Sequence, residues 1–145
     1  MCSKIYFILT KEKVYNPNTM SGHIVYKPDR IFYNLRDNIY MHEIYLQKND
    51  PDFYLEKNEY YCKVNMITLG NIYDLRDPKT WRYMILIGIK IHEFYKDILN
   101  WAVERGYLEI IKYFVESGID INMDINIVGC NMLILASKKR NLQIV

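Results

Sequence analysis

Near its C-terminal end the 145-residue chain repeats itself. Ile98-Leu99-Asn100-Trp101-Ala102 aligns with Met132-Leu133-Ile134-Leu135-Ala136, and Leu108-Glu109-Ile110-Ile111 aligns with Leu142-Gln143-Ile144-Val145. Leu133 lies 34 positions after Leu99, and the same offset holds for Ala102/Ala136, Leu108/Leu142 and Ile110/Ile144. A period of this size constrains the fold strongly. Each unit is a single supersecondary piece that cannot bury its apolar face alone, so stability has to come from covering that face. Inside the unit, Leu108, Ile111 and Phe114 form a stripe at helical spacing. Gly106 and Gly118 follow two helical segments, His92 to Arg105 and Leu108 to Ser117, at the positions where glycine enters the left-handed conformation cheaply. A third segment, Met132 to Arg140, follows Gly129 and Asn131.

Ahead of the repeat the period is different. Lys4 to Leu9 is rich in β-branched and aromatic residues and reads as a strand, and His23 to Tyr26 as a short one. Pro28 suits the start of a helix, with Ile31, Phe32 and Leu35 on one face. Ile39 to Leu46 alternates with only a partial inside/outside pattern. Asn49-Asp50-Pro51-Asp52 is turn chemistry. Glu59 to Leu69 reads as one strand ending at a Gly70-Asn71 turn, and Asp77-Pro78 as an N-cap followed by a first-turn proline.

The stretch Leu99 to Asn122, LNWAVERGYLEIIKYFVESGIDIN, resembles an ankyrin repeat. The matching positions are Leu99, Ala102, Gly106, Leu108 to Lys112, Gly118, Asp120 and Asn122, and the ankyrin period is about 33 residues. The opening of the family pattern reads Asp97-Ile98-Leu99-Asn100 in the first unit and Asn131-Met132-Leu133-Ile134 in the second, where Arg140 also replaces the glycine between helices. Asn38 to Phe53, Lys63 to Gly70 and Tyr73 to Trp81 resemble the N-terminal region of ankyrin proteins from giant amoebal DNA viruses of the mimivirus type. The resemblance implies an α+β protein: a small β-containing leader domain over 1–90, then a short, truncated ankyrin-repeat solenoid over 91–145 with one complete and one truncated repeat. It implies no catalytic chemistry and no cofactor. It implies a non-enzymatic protein–protein interaction module, intracellular and in the host cytoplasm, with a host protein among the candidate partners. Ankyrin partners sit on hairpin tips and the exposed end of each first helix, which here are Glu104, Arg105, Ile127, Val128, Lys138 and Lys139. The alternatives are a leader that is a divergent enzyme or nucleic-acid binder delivered by the repeats, and a gene remnant.

Composition supports a globular chain: half the residues are hydrophobic, a quarter charged, and the net charge is only +2. That balance gives no argument for nucleic acid or a membrane surface. The fourteen tyrosines, with alanine only at 102 and 136, reflect an A/T-rich genome rather than a function. Three scattered cysteines, Cys2, Cys62 and Cys130, fit a reducing compartment. No segment has the form of a signal peptide, and the aliphatic run Met84 to Ile89 is far short of the roughly 20 residues a membrane span needs.

Chemical motifs fail on inspection. His42-Glu43 and His92-Glu93 open like a zinc-protease helix, but Leu46 and Lys96 stand where its second histidine belongs. A calcium loop counted from Asp50 would need Gly and Glu where Leu55 and Tyr61 stand. Asp74 and Asp77 suit capping and solvated surface better than acid–base work. Tyr60-Tyr61 with Lys63 falls short of an RNA-binding aromatic string. The chain stops at Val145, the position equivalent to Ile111. Residues 141–145 are therefore expected to fray. An apolar end of Ile110, Phe114, Leu133 and Leu142 is expected to be partly exposed, favouring self-association or a partner that completes the stack.

Overall fold

The structure, a computed structural model, describes residues 5–18 and 22–117. The chain divides into two compact units, Met1–Leu75 and Arg76–Val145. The boundary expected between 90 and 91 falls inside the second.

The first unit holds six strands: β1 (Tyr6–Thr10), β2 (His23–Val25), β3 (Tyr40–Leu46), β4 (Leu55–Lys57), β5 (Cys62–Val64) and β6 (Ile67–Asp74). They form two antiparallel three-stranded sheets, ordered β1-β3-β6 and β2-β5-β4. Tyr6, Ile8, Ile44 and Ile67 of the first sheet share one core with Val25, Cys62 and Val64 of the second. The partial alternation of β3 has a physical cause. It is the central strand and is covered on both faces, so Met41, His42, Glu43 and Ile44 are all 3% exposed or less. A strand buried on both sides loses the polar/apolar alternation of a half-solvated one.

Pro28–Asn34 is the expected helix, in 3-10 form, with Ile31 and Phe32 buried. Its last carbonyls are taken up by the Asn38 side chain, which donates to Asn34 at 2.6 Å, and by the Asn38 amide on Leu35. The segment 59–69 is not one strand but the end of a β4–β5 hairpin and the start of β6. Gly70-Asn71 is not a turn. His42 pairs with Ile72 and Ile44 with Leu69, so two residues of β6 oppose Glu43 alone: a β-bulge within a continuous strand.

The second unit contains α1 (Pro78–Leu86), a 3-10 turn at Ile91–Phe94, α2 (Tyr95–Arg105) and α3 (Leu108–Glu116). Asp77 caps α1, accepting from the Lys79 amide at 2.9 Å. Gly106, at φ 71°, closes α2 in the left-handed conformation. Ala102 is fully buried where α2 and α3 form their hairpin.

The expected solenoid is not found among the described residues, which hold a single repeat-type hairpin with α1 packed against it. Trp81 of α1 is completely buried. Its ring lies 5.9 Å from that of Trp101 and 5.5 Å from that of Phe114. The fold is therefore α+β, two small antiparallel sheets and a helical unit. Ile110 and Phe114, expected at an exposed end, are 0% and 1% exposed. Leu133, Leu142 and residues 141–145 lie outside the described residues.

Candidate interaction surface

Of the six positions assigned to partner binding, the structure describes two. Glu104 and Arg105 occupy the last turn of α2, immediately before the Gly106 cap. The Glu104 side chain is 72% exposed, whereas that of Arg105 is 22% exposed and reaches Glu104 Oε2 at 3.3 Å. An exposed pair of this kind contributes about 0–1 kcal/mol. Glu104 is thus available at the surface, and Arg105 is already engaged. Ile127, Val128, Lys138 and Lys139 lie outside the described residues.

A second surface was not singled out from sequence. The pairing of β2 with β5 sets Val25 opposite Cys62. It thereby brings the 58–61 hairpin turn beside the residues that follow β2. Tyr26 and Tyr61 meet edge to face at 6.1 Å. Farther out, the Arg30 guanidinium sits 5.9 Å from the ring centres of both Tyr33 and Tyr60. Those two rings meet edge to face at 6.3 Å. Tyr33 is 55% and Tyr60 52% exposed. The Asn58 carboxamide holds the turn by accepting from the Tyr60 and Tyr61 amides, at 2.8 and 2.9 Å. Arg30 therefore sits within cation–π range of both rings, an attraction of roughly 0.5–1 kcal/mol each at exposed sites.

Three polar side chains described in the first unit are buried: Glu43, His42 and His23. Glu43, 3% exposed, accepts from the Tyr45 hydroxyl at 2.8 Å on Oε2 and from the Tyr73 hydroxyl on Oε1. The bulge makes this geometry fit. A Cβ on Gly70 would stand 2.6 Å from Tyr45 Cε2 and 3.1 Å from Glu43 Cβ, so only glycine lets the Tyr45 ring lie there. The hydrogen bond to Glu43, followed by burial, raises the Tyr45 pKa above the ordinary tyrosine value. A carboxylate with both oxygens engaged by phenols is a structural anchor more than a free base.

His42 and His23 are each 1% exposed and lie on either side of Tyr15, whose ring centre is 6.0 and 5.5 Å from theirs. Pro17 offers only a carbonyl, so His23 Nε2–H donates to it at 3.0 Å, and Nδ1 accepts from the Tyr15 hydroxyl at 2.7 Å. Thr10 donates to the Glu12 carbonyl, so it accepts from His42 Nε2–H at 2.8 Å. His42 Nδ1 is left buried with no partner. Burial lowers the His42 pKa, offset in part by the Glu12 carbonyl. The adjacent His42 and Glu43 thus point to opposite faces of β3 and serve separate networks. Cys62 is a buried free thiol. Among the described residues no three His, Cys, Asp or Glu side chains gather as a metal site would require, and no helix is long and apolar enough to cross a membrane.

No established family profile and no solved structure matches the chain. Curated sequences do. One protein of Acanthamoeba polyphaga mimivirus, named "Putative ankyrin repeat protein", is 41% identical over 88 residues, covering 59% of this chain and 43% of the relative. Another from that virus, named only "Uncharacterized protein", is 40% identical over 88 residues, covering 59% of this chain and 62% of the relative. A third, again named "Putative ankyrin repeat protein", is 34% identical over 110 residues, covering 76% of this chain and 24% of the relative. The chain thus spans less than two thirds of the length of each. A match over 59% of the chain is longer than the segment 91–145, so the likeness necessarily takes in part of the β-containing half. By sequence, then, the chain is related to mimivirus proteins named for ankyrin repeats, through a stretch that reaches beyond the repeat itself.

Proposed function

We propose that the chain is a non-enzymatic protein–protein interaction module, working inside the host cell against a protein partner and not against nucleic acid or a membrane. The observation that supports this reading is the α2–α3 hairpin. In it Ala102 is fully buried and Gly106 closes α2 in the left-handed conformation, as a repeat hairpin of this kind requires. It occurs in a chain whose relatives bear the name of that repeat. The exposed end of α2, with Glu104 outermost, is the part of the hairpin open to a partner. Proximity labelling from the full chain expressed in amoebal cells tests the reading. A reproducible set of labelled proteins, depleted by Glu104→Lys with Arg105→Glu, is the expected result. Labelling indistinguishable between the chain, these variants and an inert protein of equal size would overturn it.

A further inference from the structure

We infer that the Arg30–tyrosine surface of the first unit is a docking site for a short peptide segment that presents one carboxylate side chain beside a proline or aromatic ring. It is a surface separate from the end of α2. The inference rests on the interaction-module reading and goes beyond it.

The argument begins with Arg30. Its guanidinium lies against Tyr33 and Tyr60, and among the described residues its side chain makes no hydrogen bond or ion pair. A planar fork of five N–H donors thus rests beside an edge-to-face pair of rings with its hydrogen-bonding capacity unspent. Such a fork matches a carboxylate in a bidentate fashion. Because the rings already restrict the side chain, less freedom is lost when the ligand arrives. Tyr33 and Tyr60, edge to face beside it, each expose half or more of their surface. They form an apolar plate of the residue type that dominates interface hot spots. Tyr61, 36% exposed and backed by Tyr26, extends that plate.

The charges nearby decide between a peptide and a nucleic-acid strand. A strand needs several cations tracking successive phosphates, with bases stacked on aromatics. Here Asp29 adjoins Arg30 and Glu59 adjoins Tyr60, and both acids are exposed. Two acids next to these residues leave no run of cations to track successive phosphates, so Arg30 offers a site for one carboxylate and not for a polyanion.

The test is a selection of phage-displayed random heptapeptides on the immobilised 145-residue chain. Affinities of the leading synthetic peptide are then measured by fluorescence anisotropy. Selected peptides should carry Asp or Glu next to Pro or an aromatic residue. Replacing that acid by its amide should weaken binding at least tenfold, Arg30→Gln in the chain should do the same, and the two changes together should lose no more than either alone. Tyr60→Ser should weaken binding without moving the melting temperature. Absence of enriched peptides, enrichment without an acid, or affinity indifferent to Arg30→Gln would overturn the proposal. So would Arg30-dependent binding of an oligo-dT strand at physiological salt. Glu104→Ala should leave peptide affinity unchanged. If it alone abolishes binding, the site is on the hairpin and this inference fails while the module reading stands. If labelling in cells fails but Arg30-dependent peptide binding is found, the site stands without it.

Discussion

At the scale of the residue, Gly70 and His42 show how much depends on single positions in this small β unit. Gly70→Ala would drive a Cβ into the Tyr45 ring and the Glu43 stem. Overpacking of this kind costs roughly 1–3 kcal/mol, so the urea midpoint should fall accordingly, while Asn71→Ala, one residue on and exposed, should stay within about 0.5 kcal/mol. His42 predicts a pH dependence. Burial holds its pKa below the unfolded value of about 6.5, so the folded chain binds fewer protons than the unfolded one as pH falls through that value. Its contribution is therefore complete above about pH 6.5 and is lost progressively below it. Urea melts should show a declining midpoint from pH 7 to pH 5.5, above the range where carboxylates titrate, and His42→Gln should flatten that slope. Neither position announces itself in the sequence. Gly70-Asn71 has the composition of a turn, and only the pairing register of β3 with β6 shows that it is a bulge. His42 and Glu43 look like half a metal motif until the strand separates them onto opposite faces.

At the scale of the element, the helical unit was the most legible part of the chain. Asp77, Pro78 and Gly106 act through local backbone chemistry, which needs no tertiary context, and the structure places each at its cap. What sequence could not show is which element would cover the hairpin. The 34-residue period argued for stacking; among the described residues the hairpin is met by Trp81, in a helix outside the period. Trp81→Ala should therefore cost about 3–5 kcal/mol, the range for emptying a buried tryptophan site. Ala102→Leu should cost about 1–3 kcal/mol, and Glu104→Ala less than about 0.5. Denaturant melts followed by the fluorescence of Trp101 measure all three. In the β unit, strands β1 to β3 were readable from β-branched and aromatic runs. The β4–β5 hairpin was not, because Leu55-Glu56-Lys57 has no β-branched or aromatic residue and Cys62-Lys63-Val64 has only one. The Arg30 surface was hidden for the same reason, since that hairpin alone brings Tyr60 to Tyr33.

At the scale of the whole molecule, 19 basic residues against 17 acidic ones leave little long-range field. A chain of this balance should elute from heparin below about 0.2 M salt, since strong retention requires many phosphate-like contacts made at once. Retention well above that concentration would favour a nucleic-acid role. The sheet that carries Glu43 has two outer strands, and neither presents a plain row of open amides. On β1, Phe7 and Tyr26 exchange both backbone hydrogen bonds at 2.8 Å. On β6, the Gly70–Asn71 bulge interrupts the ladder midway along the strand. An unbroken border of donors and acceptors can template growth by a second copy, and from there a fibre. Closing one border with a bridge and breaking the other with one extra residue denies that template. In a chain rich in tyrosine and isoleucine, the two borders of this sheet are thus poor places for a second copy to add a strand.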